Sequence, residues 1–438
     1  MLNMVARISV LLIILGAVVV IQTLKISIWF NNQGVGAYEQ HDYEKALGSF
    51  EMALRFSPGS VDTHYNLAAL YEAMRKEGEA VAEYEKVIRL DKQYLQAYSA
   101  LVEIKAARNN FEEAMDLANK AQDRIHTSAT EELLKNISER YAAESARKGA
   151  EAISDGKVAQ GTAFLNKAIE LNPELLLPYQ AFAIYYFKKG DQAKTLMYAR
   201  KVVTLDPKNW MAYQLLGDIY FNQQAFAEAV GFYEQVLDFN QSEANVYNNL
   251  GISLMNLERL EPARRYLSKA VDLKPDDILF RYNLASVCRD GQHFDEAIRI
   301  YRQVLARQPD YPNVHNDLDD IYLHQGKIEL AAEESAAEIK ISLRHLEKNA
   351  GDVEVLNDLA YAYVRAGDVA KGRTLIERVI TRAPTYRQAY LTLGAACKEL
   401  KDIDCARQAF IHARNLSKET NFIDRELMSL RESAGKPN

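Results

Sequence analysis

Asn249, Asn283, Asp317 and Asp358 each stand directly before a leucine, and Asn66 does so nearer the N-terminus. The chemistry that such side chains offer is hydrogen bonding. An asparagine amide presents a donor and an acceptor, which suits a peptide bond, whereas an ionised aspartate only accepts. A file of these residues along one surface would hold an extended ligand. The two aspartates favour a ligand that carries donors or positive charge. The plainer alternative is a row of solvated side chains. Aromatic and polar residues stand at related positions: Tyr65, Gln180, Phe187, Gln214, Phe221, Asn248, Tyr282, Asn316, Asn357 and Tyr361. Exposed aromatics in a groove are typical anchors for a partner, although packing between helices accounts for the same residues.

Asp317, Asp319 and Asp320 crowd together, but a metal or acid–base site needs convergent ligands. The eight histidines are scattered along the chain, and the three aspartates belong to no metal-ligand motif. No G-x-x-x-x-G-K-[ST], G-x-S-x-G or H-E-x-x-H occurs. The residues therefore point to no catalytic, cofactor or metal site, and to no small-molecule substrate. Of the three cysteines, Cys288 falls on a core position, and no C-x-x-C occurs. Cys397 and Cys405 flank one turn on opposite helices and are candidates for a disulfide in an oxidising compartment.

The elements that must position these residues form a repeated unit. In residues 246–275, Leu250 and Gly251 fall on a first helix, Ala263, Leu267 and Ala270 follow at i, i+4, i+7 on a second, and Pro275 closes the unit. Shifted by 34 residues the frame reads Leu284, Ala285, Ala297, Tyr301, Val304, Pro309; shifted back it reads Leu216, Gly217, Ala229, Tyr233, Val236. Pro58, Pro173, Pro207, Pro275, Pro309 and Pro384 share one position in the frame. There they stop the second helix, since proline lacks an N–H and restricts the residue before it. Midway along the first helix a Gly or Ala lets the second helix approach, with the second helix's own Ala expected opposite.

This pattern resembles the tetratricopeptide repeat, a helix–turn–helix unit of 34 residues. The resemblance implies an all-α, right-handed superhelical solenoid of about 11 repeats, and an apolar run ahead of it reads as one N-terminal transmembrane helix. Repeats 1–3 are expected over 27–124. An irregular joint with repeat 4 follows over 125–175, where the frame slips and Ser128–Glu131 reads as a capping box opening a long helix. Repeats 5–11 are expected over 176–417, with seven extra residues lengthening the second helix of repeat 9. A capping helix over 418–433 and a disordered tail at 434–438 complete the chain. The resemblance also implies that working residues face the inner surface of the array. There the Asn and Asp row is similar to the asparagine ladder of O-linked N-acetylglucosamine transferases, which holds an extended peptide by its backbone. The basic clamp that chaperone-binding relatives use for a terminal carboxylate is not visible.

Residues 1–7 read as a short tail, and residues 8–30 as a membrane anchor. From Ile8 to Leu24 no charge occurs, and Trp29 and Phe30 suit an interfacial belt. Gln-Thr-Leu-Lys follows the apolar run where a cleaved signal would show small residues, so retention is expected. Arg7 places slight positive charge before the span. That favours a cytoplasmic N-terminus with the repeats in the periplasm of a bacterium, the cytoplasmic face being the alternative. A net charge of −7 argues against a nucleic-acid partner. The expected function is a membrane-anchored protein–protein interaction scaffold, not an enzyme, holding a partner protein or extended peptide in its groove. The rival is a structural subunit of a larger membrane or envelope complex for export or electron transfer.

Overall fold

The computed structural model describes residues 2–416 and 421–434. Every regular element among them is an α-helix, and consecutive helices pair into eleven hairpins followed by one last helix. The chain divides into two units, Met1–Pro178 and Tyr179–Asn438.

The first unit opens with α1 (Leu2–Glu39) against α2 (Tyr43–Phe56), then α3 (Val61–Ala73) with α4 (Glu77–Leu90). It continues with α5 (Leu95–Ala107) and α6 (Phe111–Ile125), then α7 (Ser128–Ser154) and α8 (Val158–Leu171). The second unit begins within α9 (Leu176–Lys188) and continues with α10 (Gln192–Leu205), α11 (Trp210–Asn222) and α12 (Phe226–Phe239), and α13 (Ala244–Asn256) and α14 (Leu260–Leu273). There follow α15 (Ile278–Asp290) and α16 (Phe294–Arg307), α17 (Val314–His324) and α18 (Ile328–Lys348), and α19 (Val353–Arg365) and α20 (Val369–Arg382). The last hairpin is α21 (Arg387–Glu399) with α22 (Ile403–Asn415), and α23 (Asn421–Ala434) packs on α22.

The repeat is written in the turns. Residues 41, 75, 109, 156, 190, 224, 258, 292, 326, 367 and 401 all have positive φ. They recur every 34 residues, apart from a step of 47 after Asn109 and of 41 after Gly326. A left-handed residue at a helix end lets following N–H groups return to the orphan carbonyls. Lys76 N–H, for example, reaches Tyr71 O at 2.8 Å. The longer steps have visible causes: α7 spans 27 residues, and α18 spans 21 where other second helices span mostly 14. Aspartates 42, 191, 368 and 402 cap second helices by accepting a backbone N–H three residues on.

Three sequence readings are corrected. The capping box of α7 forms between Thr127 and Thr130, one residue before the expected start, because a threonine hydroxyl there reaches N3 as well as Ser128 would. The second-helix residue packed against the first-helix glycine lies 16 positions on, and is large. A Cβ built on Gly251 would fall 2.5 Å from Leu267, so the missing side chain is the seat for that leucine. Residues 2–7, expected as a tail, already belong to α1, whose first turns contain good helix formers. Of the expected tail at 434–438, Ala434 ends α23 and residues 435–438 lie outside the described ones.

In α1 the side chains of Leu11, Leu12, Val20 and Leu24 are exposed, as is Trp29. The side chain of Ile8 lies outside the described residues. One stretch of this helix is long and apolar enough to cross a membrane. Packing on the first hairpin starts at Ser27, whose Oγ donates to Ala53 O at 2.9 Å. Phe30 then stacks on Phe56, with ring centroids 6.1 Å apart.

Candidate functional site

First helices α15, α17, α19 and α21 line most of a groove of about 1100 Å³ in the second unit. Tyr282, Asn316, Asp317, Asn357, Asp358 and Tyr361, all singled out in the sequence, meet there. Arg289, Arg365, Tyr386 and Gln388 join them and had no motif to announce them. Arg289 and Arg365 each stand in the last turn of a first helix, where a cation suits the helix dipole.

The remaining candidates lie elsewhere. Tyr65 and Asn66 belong to the first unit. Tyr65 packs between Tyr84 and Tyr94, and the Asn66 amide donates to Asn31 Oδ1 at 3.1 Å. In the second unit Phe187 is half-buried, and Phe221 lies edge-on to Phe226. Asn248, Asn249 and Asn283 form a chain of hydrogen bonds before the groove. The Asn283 amide donates to Asn248 Oδ1 at 2.8 Å, Asn248 Nδ2 to Asn249 Oδ1 at 3.2 Å, and Asn249 Nδ2 to the Tyr233 hydroxyl at 3.3 Å. Tyr233 in turn donates to Asp218 at 2.7 Å. The row of asparagines is thus engaged across hairpins instead of being bare to solvent, because adjacent first helices lie within reach of short amides. Buried polar groups need such partners.

The acidic cluster is also paired. Arg289 binds Asp317 Oδ1 and reaches Asp290 at 2.8 Å. Asp319 is 1% exposed and stands where other repeats carry Gly or Ala. It accepts from Ser335 Oγ and from Arg365 Nε, both at 2.9 Å. Ser335 occupies the place of Leu267 in its own hairpin, so here a hydrogen bond replaces an apolar contact. Arg365 also reaches Asp320 at 3.2 Å, and the Tyr361 hydroxyl donates to Asp320 at 2.8 Å.

Among the described residues, three buried acceptors in the groove lining have no hydrogen-bond partner: Asn316 Oδ1, Asp317 Oδ2 and Asn357 Oδ1. Asp358 has the Asn313 amide as its close donor; with its nitrogen facing the carboxylate, that amide reaches both oxygens at 2.9 and 3.1 Å. Burial pushes the Asp358 carboxyl up to about 7, with Glu338 and Glu354 adding to the effect and Asn357 opposing it. Burial likewise raises Asp317 to about 6 against the pull of Arg289.

A carboxyl raised on folding binds its proton more tightly in the folded state. Its contribution to stability is therefore greatest below the ordinary carboxylate range and is lost as pH rises through about 7 for Asp358. The wild-type chain is expected to lose stability between pH 5 and pH 7 relative to Asp358→Asn, by up to about 1.4 kcal/mol per pH unit. Denaturation midpoints of both proteins across that window check it; parallel curves would exclude a perturbed Asp358.

Cys397 and Cys405 are joined in a disulfide across the last hairpin, with Cα atoms 5.8 Å apart. Cys288 is free and buried, and burial chiefly raises its thiol to about 12.

Stacked helical hairpins that offer a groove along their first helices define a repeat protein of the solenoid class. A description of the tetratricopeptide repeat matches residues 30–309, and a second matches 282–342 and 357–413. The chain belongs to the tetratricopeptide repeat family. It is 31% identical over 99 residues to small glutamine-rich tetratricopeptide repeat-containing protein 2 of Saccharomyces cerevisiae, covering 23% of this chain and 29% of that one. It is 29% identical over 163 residues to stress-induced-phosphoprotein 1 of Caenorhabditis elegans, covering 36% and 45%. The chain thus spans less than half the length of either relative. Among solved structures, yeast Tom70 aligns over 94% of this chain and 96% of its own, at 16% identity and a TM-score of 0.38.

Proposed function

We propose that this protein is a membrane-anchored protein–protein interaction scaffold that holds an extended segment of a partner in the groove of α15, α17, α19 and α21. The observation that carries the reading is the set of buried, unpartnered acceptors on Asn316, Asp317 and Asn357 in the groove lining. Unmet buried polar atoms are costly, and a bound segment with N–H donors would satisfy them. Tyr282, Tyr361 and Tyr386 supply aromatic wall around them. The exposed apolar face of α1 supports anchoring in a bilayer. The Cys397–Cys405 disulfide suits repeats placed in an oxidising compartment, with the N-terminus on the cytoplasmic side.

Photo-crosslinking in native membranes tests the groove. A benzophenone amino acid at Gln388 or Leu391 should capture a partner, whereas the same probe at Arg299 or Arg378 on second helices should not. Adducts from the second helices alone would overturn the reading. N-terminal sequencing of the purified chain tests the anchor: a start at residue 26 or later would rule it out.

A further inference from the structure

We infer that the groove receives a cationic side chain of the bound segment, a guanidinium above all, seated among Asn316, Asn357 and Asp358. The inference rests on the reading of the groove as the binding surface, and names what that surface recognises.

Charge is the first argument. Asp290, Asp317, Asp320, Asp358, Glu399 and Glu426 line the groove against Arg289, Arg365 and Lys398. All three bases are already engaged: Arg289 with Asp290 and Asp317, Arg365 with Asp319 and Asp320, Lys398 with Glu426 at 2.6 Å. Among the described residues no cation lies within ion-pair distance of Asp358. A carboxylate this enclosed is expensive to keep charged without one.

The acceptors are the second, independent argument. Asn316, Asp317 and Asn357 are 5%, 7% and 2% exposed, and each holds an oxygen without a donor. These residues form the groove floor, so the floor has more acceptors than donors. An anion would find few free donors there and would meet surplus negative charge. A neutral amide brings one or two N–H groups. A guanidinium brings five in a planar fork, together with the charge that Asp358 lacks. Tyr361 already carries the Arg365 guanidinium near its ring, 5.9 Å from the centroid, which shows that this surface tolerates such a group beside an aromatic face.

The test compares two peptides on the full chain in detergent. Each is a labelled twelve-residue Gly-Ser-Ala peptide with two arginines, or with citrulline at both places. Citrulline keeps the shape and most donors but has no charge. Fluorescence anisotropy should show the arginine peptide binding at least about tenfold more tightly. Asp358→Asn, nearly isosteric, should remove most of that preference. Equal binding of the two peptides to the wild-type chain would overturn the inference without using any variant. So would an arginine preference untouched by Asp358→Asn, or no binding of the arginine peptide up to about 1 mM. Any of these results alongside partner adducts at Gln388 or Leu391 would leave the groove reading standing. Loss of those adducts is what would end that reading.

Discussion

Asp317→Ala is expected to destabilise the second unit by about 3 kcal/mol, although the residue looks from its register like a groove side chain that could be trimmed freely. Its carboxylate is 7% exposed and faces the Arg289 guanidinium. Removing it leaves the partly buried Arg289 with the exposed Asp290 as its remaining carboxylate. A buried charge stripped of one partner costs more than the pair contributes, so the loss reflects an uncompensated cation as much as a broken bond. The double variant Arg289→Met, Asp317→Leu should therefore recover most of the stability. Denaturant unfolding followed by Trp210 fluorescence, in a Trp29→Phe background, reads the second unit. A loss under about 1 kcal/mol for Asp317→Ala would mean that the pair is exchanged for water without penalty. The same reasoning shows why partner binding should be probed with Asp358→Asn in preference to alanine at several ladder positions at once.

The second large effect concerns the first unit. Gly161→Ala is expected to cost about 3 kcal/mol, against an intrinsic helix preference of about 1 kcal/mol in favour of alanine. A Cβ at residue 161 would lie 2.8 Å from Gly149 O and 2.9 Å from Ile153 N. These are backbone atoms, so α7 and α8 must separate along their whole contact. Gly149 is equally constrained, since its Cβ would fall 2.9 Å from Leu165 N. The control is Gly48→Ala in α2, where the new methyl would meet nothing within 4 Å. That variant should gain up to about 1 kcal/mol from helix propensity alone. Opposite shifts in thermal midpoint by circular dichroism are the expected result. A rise in both midpoints would show that α7 and α8 have room to adjust.

The architecture was legible because its causes are local and periodic. Prolines stop second helices, aspartates cap them, and a left-handed residue closes each turn, so a 34-residue step places the hairpins except where α7 and α18 are lengthened. The seven residues added to α18 amount to two turns, which leaves its apolar face in line. The site was legible only as a register. Tyr282, Asp317, Asp358 and Tyr361 could be placed on first helices, but their partners could not. Asn283 meets Asn248 across 35 positions, Arg289 meets Asp317 across 28, and Arg365 meets Asp319 across 46. Those distances differ because each depends on how neighbouring hairpins stack, and stacking is not encoded in any single repeat. One pairing was within reach of the sequence. Asp319 and Ser335 occupy the two positions that hold a small residue and a large apolar one elsewhere, and a joint change from apolar to polar at both marks a hydrogen bond between them.

Helix α1 runs without interruption from residue 2 to residue 39, and an unbroken helix transmits bearing as well as distance. Each residue turns the chain by about 100° and advances it by about 1.5 Å. The direction in which the first hairpin faces, relative to whatever grips residues 8–24, is therefore stored as a residue count between that grip and the Ser27–Ala53 hydrogen bond. Deleting a single residue near Lys25 would swing the hairpin through more than a quarter turn without touching one of its contacts. Inserting seven would return it almost to its original heading, about 10 Å further from the grip. The helix thus acts as a shaft with a keyed end, and its length sets a compass direction for the first repeat.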